Sequence, residues 1–473
     1  MRKTKIVCTI GPASEDIERL RQLTAAGMDV ARLNFSHGSH EEHAARVARI
    51  RTVEAEFGRP IAILLDTKGP EIRIGTFADK MITLNAGDAF TLTTEPVVGS
   101  SSIVSVNYAG LPATVVPRDR LLLDDGLLEL EVKSVAGSSV ECRVMVGGQL
   151  GDHKRLSLPG KKLNLPALSD ADRSDLIFGI EYGVDIIAAS FIRNASDVAE
   201  IKQFLAANGS GIPVIAKIES RDGIENLDSI LRAADGLMVA RGDMGVELPA
   251  EDVPIIQKQM IHKSRKAGKP VITATQMLDS MTRNPHPTRA EVSDVANAVF
   301  DGTDAVMLSG ETAQGKYPVQ SVRTMARIAE RTETALQFSE AVTYRAIGAA
   351  SSVTDAIGHA TVQIAAEVNA AAIITSTVSG WTARMVSKHR PRTKIVAVTP
   401  DERTARFLNL LWGVFPVVGE DIKTTDQMIN IATARSLQAG LVYPGDTVVI
   451  TAGVPVGVAG TTNLIKVHEI EKA

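Results

Sequence analysis

Six short stretches of this sequence place residues suited to phosphate or hard-cation chemistry just after an apolar run. They are Arg32, Asn34 and Ser36; Asp66, Thr67 and Lys68; Lys217 and Glu219; Arg241, Gly242 and Asp243; Thr275 and Gln276; and Ser309 with Glu311. Glu219 and Asp243 form the kind of carboxylate pair Mg²⁺ uses, with substrate oxygens and water completing its shell. Asn34, Ser36, Asp66 and Thr67 offer only oxygen donors and one charge, which suits a weakly held monovalent cation. Arg32 and Lys217 bring positive charge for a phosphoryl group in flight. Backbone amides at Gly242, near a helix start, make a seat for a carboxylate. Taken singly, each stretch has an ordinary explanation: a solvated Lys-x-Glu pair, an Arg-Gly-Asp turn, a Thr capping the next helix. Gathered around one axis, they describe a site for a small dianionic or trianionic phosphate ester.

The elements that must gather them repeat along the chain. Apolar runs rich in Val, Ile and Ala cover Lys5–Ile10, Asp29–Phe35, Ile61–Thr67, Val184–Phe191, Pro213–Glu219, Gly236–Gly242, Pro270–Gln276 and Asp304–Gly310. Most lie about 23–34 residues apart, the length of a strand–helix unit. Continuous apolar runs suit parallel strands covered on both faces. Eight units predict an α/β fold built on a closed (β/α)8 barrel, whose catalytic groups stand at the C-terminal strand tips; an open doubly wound sheet is the alternative.

One gap breaks the spacing. Between Thr67 and Val184 the text changes to short alternating strands: Met81–Leu84, Ala89–Thr93, Ile103–Asn107, Leu121–Leu123, Leu127–Val132 and Val140–Val146, with a turn signal at Asp125-Gly126. This predicts an inserted all-β lid over residues 71–168, set on a βα loop above the catalytic face. The barrel then comprises residues 1–70 and 169–343. A C-terminal α/β domain follows over 344–473, with strands at Ala372–Ser376, Lys394–Thr399, Val414–Val418, Asp446–Thr451 and Ile465–Glu469.

Composition removes other classes. A net charge of −4 over 473 residues gives no electrostatic case for a nucleic-acid or membrane partner. Two tryptophans provide no base-stacking platform, and no apolar run approaches the roughly 20 residues of a membrane span. Cys8 and Cys142 stand far apart in no metal spacing. With no apolar signal core at its start, the chain is expected to be cytoplasmic. His37, His40 and His43 are spaced for zinc but lack a fourth ligand, and are read as the start of an exposed helix. The loop from Gly310 to Lys316 nearly spells a nucleotide phosphate loop, but Tyr317 stands where Ser or Thr is required and Pro318 follows.

Seven segments, ARLNFSHG (31–38), ILLDTKGPEIR (63–73), IAKIES (215–220), MVARGDMGVE (238–247), ITATQML (272–278), NPHPTRAEVSDVANA (284–298) and DAVMLSGETAQGKYP (304–318), resemble the pyruvate kinase family in register. The likeness runs from Lys3 to about Val467. It implies the same three-domain plan, usually as a homotetramer, and transfer of a phosphoryl group between phosphoenolpyruvate/pyruvate and ADP/ATP. It further implies Arg32 on the transferred phosphoryl group and Lys217 stabilising phosphoryl transfer and the enolate. Glu219 and Asp243 match the ligands of Mg²⁺ (or Mn²⁺), and Asn34, Ser36, Asp66 and Thr67 the ligands of K⁺. Gly242 and Thr275 belong beside the substrate, Thr275 at the enolate face. Arg73, His37 and Lys154, with Asn34, fall near the nucleotide phosphates. Potassium-independent members carry Lys where this chain has Glu71, so potassium-dependent activity is expected.

Lyases and aldolases that use a metal-bound enolate on the same barrel would need Glu219 and Asp243 but not Arg32, the potassium set or the lid. The intact Lys217, Glu219, Asp243 and Thr275 argue against a dead homologue. The family's Lys-Gly-Val-Asn-Leu-Pro-Gly reads Lys154-Arg155-Leu156-Ser157-Leu158-Pro159-Gly160 here, a departure at the lid hinge. Finally, Ser376, Thr377, Ser379, Gly380 and Thr382 resemble the family's effector loop, where hydroxyls and amides would hold a phosphate. The nearby Gly453–Thr462 loop has no Lys or Arg, which favours a monophosphorylated sugar or nucleotide over a bisphosphate.

Overall fold

The computed structural model describes residues 1–163, 165–336, 352–422, 424–455 and 460–471. Eight parallel strands close into a barrel: Lys5–Thr9, Val30–Asn34, Ala62–Asp66, Ile186–Ala189, Val214–Ile218, Gly236–Ala240, Val271–Ala274 and Ala305–Leu308. The closure is made by the first and last, Lys5 lying opposite Ala305. All eight expected strands are present, because apolar residues run through each without alternation and both faces are buried. Val7, Val30, Leu64, Ile186, Ile215, Met238, Ile272 and Met307 fill the interior, while an outer layer packs strands against helices.

Helix starts follow from local chemistry. Ser39 caps the helix His40–Phe57 and Thr288 caps Arg289–Asp301, each in a reciprocal box with the Glu three residues on. His40 does begin a helix, but His43 is buried rather than exposed. Its ring stacks on Phe35 with centroids 4.0 Å apart, and its Nε2 donates to the His37 carbonyl at 2.9 Å. Among the described residues no group of three His, Cys, Asp or Glu is placed to hold a metal. The Gly310 loop forms only the short helix Gly310–Ala313 before the long helix Pro318–Leu336.

Between the third and fourth barrel strands stand a six-stranded sheet and a two-stranded ribbon around their own core, including Phe90, Leu92, Leu121, Leu130 and Val140. Two short strands, Gly148–Gly151 and Leu156–Ser157, join those expected. Asp124, Asp125 and Gly126 all take positive φ in the turn before Leu128–Ala136. Cys8 and Cys142 are free and buried, one in the barrel and one in this lid.

The C-terminal unit is a five-stranded sheet, four strands parallel and Thr462–Glu469 antiparallel at one edge. Its Phe407 and Leu410 enter the apolar cluster of the barrel interior. Between them Asn409 donates to the carbonyls of Asp29 and Pro60 at 2.9 and 2.8 Å. Beside this plug the buried Lys5 ammonium donates to the Val414 carbonyl at 2.6 Å. The C-terminal unit thus seals the barrel end where strands begin, leaving the opposite end for chemistry. The expected boundary at 343/344 lies outside the described residues. Among the described residues no helix is long and apolar enough to cross a membrane.

Candidate active site

At the C-terminal strand ends, charges from strands two, three and five converge. Register puts Asn34 opposite Asp66. Arg32 Nε donates to Asp66 Oδ2 at 2.6 Å, and its Nη1 reaches Thr9 Oγ1 at 2.9 Å. Lys217 Nζ lies 2.9 Å from Asp66 Oδ1, 2.6 Å from Ser190 Oγ and 3.1 Å from Glu219 Oε1. All four charged groups are buried. Burial works against the charged lysine, but Asp66 and Glu219 outweigh it and hold its pKa well above the ordinary value. Burial likewise opposes the Asp66 carboxylate, and Arg32 and Lys217 overcome it, keeping Asp66 ionised. The result is two buried cations fixed side by side on Asp66, with Glu219 as a second carboxylate against Lys217.

Glu219 is pushed up to about 7 by burial, against the pull of Lys217 and with the help of Asp243 nearby. Its Oε2 accepts the Phe191 amide at 2.6 Å. A buried carboxylate whose charge is disfavoured beside a second carboxylate fits a pair meant to share a hard divalent cation. Asp243 sits in the helix Arg241–Glu247 directly after strand six and is ion-paired to Arg155 from the lid hinge.

Thr275 has φ of +68°, a costly conformation for a β-branched residue. Two hydrogen bonds fix it: Oγ1 donates to the Ala274 carbonyl at 2.7 Å and accepts the Gly242 amide at 2.8 Å. The Gly242 amide, read as a carboxylate seat, is therefore engaged by Thr275. Arg241 braces the same turn, donating to the Thr275 carbonyl and Asp294 at 2.7 Å each.

Asn34 Oδ1 accepts the Ser36 amide at 3.2 Å, and Thr67 Oγ1 the Ser190 amide at 3.2 Å. With Asp66 between them on strand three, these groups form an oxygen-only set carrying one formal charge. That chemistry fits a monovalent cation. Arg73 and Lys154 stand on the two crossings between barrel and lid: Arg73 pairs with Glu71 and donates to the His153 carbonyl at 2.7 Å, and Lys154 pairs with Asp124 at 2.8 Å. His37 holds His43 through its carbonyl.

Three contributors were not singled out from sequence. Ser190, at the end of strand four, donates to the Thr67 carbonyl at 2.6 Å and receives Lys217. Thr9 ends strand one against Arg32. Arg155, read only as a departure, is half of the Asp243 pair. Placing strand four beside strand three in the ring was the signal for Ser190.

In the C-terminal unit, Ser376, Thr377, Ser379 and Thr382 line one pocket with Trp381, Pro400 and Gly453. Gly380 turns the chain into it at φ +77° and Thr382 Oγ1 meets Thr462 Oγ1 at 2.8 Å.

The model of the pyruvate kinase barrel domain matches residues 1–322, and that of the pyruvate kinase alpha/beta domain residues 355–468. The chain belongs to the pyruvate kinase family. The pyruvate kinase of Geobacillus stearothermophilus is 54% identical over 99% of this chain and 80% of its own length. That of Bacillus licheniformis is 53% identical over 99% of this chain and 81% of its own. That of Staphylococcus aureus is 51% identical over 99% and 80%. Membership makes the chain a phosphotransferase of the pyruvate kinase type.

Proposed function

We propose that the chain transfers the phosphoryl group of phosphoenolpyruvate to ADP, giving pyruvate and ATP, the final step of glycolysis. The convergence of Lys217 and Arg32 on Asp66 carries this reading. Two cations fixed by Asp66 would offset the charge of a phosphoryl group as it spreads over the equatorial oxygens in transit. Lys217 then faces the enolate oxygen as the phosphorus–oxygen bond breaks, and its raised pKa keeps it a cation rather than a proton donor. Thr275, whose hydroxyl is pinned by Gly242 and Ala274, would stand beside the enolate carbon that must gain a proton to give the ketone.

Glu219 and Asp243 would hold Mg²⁺ or Mn²⁺, and Asn34, Ser36, Asp66 and Thr67 would hold K⁺. When bound, these ions supply charge neutralisation for the substrate's carboxylate and phosphate oxygens. Arg73, His37, Asn34 and Lys154 are proposed to meet the nucleotide phosphates, supported by the position of Arg73 and Lys154 at the lid crossings. Domain limits are proposed at 71–168 for the lid and near 344 for the C-terminal domain, in a cytoplasmic homotetramer as the family likeness implies. The pocket at Ser376–Thr382 is proposed to take a monophosphorylated activator. Its support is a set of hydroxyls and the Trp381 Nε1, which has no hydrogen-bond partner among the described residues.

The test is pyruvate formation from phosphoenolpyruvate and ADP with Mg²⁺, in wild type and Lys217→Met, with K⁺ present or replaced by Na⁺. Activity that needs K⁺ and collapses in the variant is the expected result. Wild type that binds phosphoenolpyruvate yet yields no pyruvate with any nucleoside diphosphate overturns the reading.

A further inference from the structure

Arg155 lies where the chain returns from the lid to the barrel. This crossing is zipped to the outgoing one: Leu156 N donates to Ile72 O at 2.8 Å, Ile74 N donates to Lys154 O at 3.0 Å, and Arg73 and Arg155 lie opposite each other. From that backbone the Arg155 side chain extends down to the barrel. Its Nη1 pairs with Asp243 Oδ1, and its guanidinium lies 4.6 Å from the centroid of the Phe191 ring. Phe191 is the residue whose amide holds Glu219. The guanidinium is therefore stacked at the entrance to the Glu219–Asp243 pair, with side-chain exposure of only 10%.

We propose that Arg155 is a tethered counter-ion: in the metal-free protein it occupies Asp243 and clamps the lid hinge to the barrel, and it gives up Asp243 to the divalent cation. This rests on the reading of Glu219 and Asp243 as the metal carboxylates.

The physical reason is competition for one oxygen. Glu219 is buried and already faces Lys217, whereas the partly exposed Asp243 takes its counter-charge from the guanidinium within the chain. Burial opposes the Arg155 charge, but Asp243, Glu219, Glu71 and Glu247 outweigh it, so the side chain remains a cation throughout. A divalent ion and a guanidinium at the same carboxylate repel, and Asp243 Oδ1 cannot serve both well. Where the family pattern has Gly at this place, no side chain exists to compete. Lid position and metal occupancy thereby become linked: what loosens one must favour the other. If Arg155 holds Asp243 nine-tenths of the time, the apparent metal affinity is reduced about tenfold, by the fraction of competent sites.

The experiment titrates Mn²⁺ into the full chain without substrate, reading free Mn²⁺ by electron paramagnetic resonance, for wild type, Arg155→Gln, Arg155→Lys and Glu219→Gln. In parallel, hydrogen exchange of segments 72–76 and 153–158 is followed in wild type with and without Mg²⁺. The expected result is Mn²⁺ binding about tenfold tighter in Arg155→Gln than in wild type, with Arg155→Lys between them. Mg²⁺ should speed hinge exchange in wild type. Equal or weaker Mn²⁺ binding in Arg155→Gln, with Glu219→Gln losing it, overturns the clamp and leaves the metal reading standing. Mn²⁺ binding unchanged by Glu219→Gln removes the metal reading and the clamp together. Should Arg155→Gln fail to fold, unchanged wild-type hinge exchange on adding Mg²⁺ overturns the clamp by itself.

Discussion

Lys217 Nζ rests 2.9 Å from Asp66 Oδ1, a carboxylate 151 positions away in the chain. The pair is a structural brace and a catalytic charge at once, and the two roles separate on mutation. Lys217→Met removes a positioned charge, and turnover should fall by about 10³-fold or more. It also leaves Glu219 and Asp66 buried with one cation fewer, so stability should drop by about 3 kcal/mol. Steady-state kinetics and urea unfolding measure the two. Full loss of turnover with unchanged stability would mean that Asp66 is satisfied by Arg32 alone.

Thr275 should be sensitive to the loss of its hydroxyl. Thr275→Ser keeps both hydrogen bonds and should retain most activity. Thr275→Ala frees the Gly242 amide and should lower kcat by about 10- to 100-fold while phosphoenolpyruvate affinity changes little. Equal losses in kcat and affinity would assign Thr275 to binding rather than to the enolate.

Two buried histidines set an acid limit. Burial, aided by Arg46 against the pull of the His37 carbonyl, lowers His43 to about 4. Burial and Lys388, against Asp355, lower His389 to about 4. In the unfolded chain both protonate near the ordinary pKa of about 6.5. Between those values the unfolded state binds more protons, so stability is full above pH 6.5 and falls as pH drops toward 4. Each group should contribute on the order of 1 kcal/mol of loss between pH 7 and 5. The double variant His43→Gln, His389→Gln should flatten the slope; an unaltered slope would place the acid sensitivity elsewhere.

Asp304 ties the C-terminal unit to the barrel. Its Oδ1 accepts Arg390 Nη1 at 3.0 Å and the Trp412 amide at 3.1 Å, and its Oδ2 accepts the Val271 amide at 3.1 Å. Asp304→Asn strips the charge opposite a buried Arg390 and should cost about 3 kcal/mol. Tryptophan fluorescence reports the change directly, since Trp381 and Trp412 both belong to the C-terminal unit. A transition at the wild-type urea concentration would count against the interface.

Glu71 is ion-paired to Arg73 at the outgoing lid crossing. With a carboxylate there instead of an ammonium, turnover should fall by about tenfold or more when K⁺ is replaced by Na⁺. Glu71→Lys should narrow that ratio. Comparable wild-type rates in the two buffers would exclude a potassium requirement.

The barrel was legible because its strands are apolar without alternation and end in polar tips, a pattern that survives without any partner information. The Lys217, Glu219, Asp243 and Arg32 positions followed from that alone. Ser190 was hidden because it reads as part of the apolar run Val184–Phe191, and its role depends on strand four lying beside strand three. Arg155 was hidden for a different reason: its reach to Asp243 is set by how two crossings zip together, and no periodicity encodes that. The strands Gly148–Gly151 and Leu156–Ser157 escaped notice because they are short, and one is half glycine. Phe407 and Leu410 carry no mark in the sequence, because their burial is in the neighbouring domain's interior.

Ring closure has a cost in time. The first strand can pair early with the second, Val7 opposite Val30, but its other edge waits for Ala305 and its neighbours. During synthesis at about 5–20 residues per second, that edge stays open for tens of seconds. Non-local pairing of this kind folds slowly and leaves an unpaired edge as a template for wrong partners. The lid, whose strands pair largely within one contiguous stretch, can mature first, so a nascent chain halted before its eighth strand would carry a finished lid on an unfinished ring.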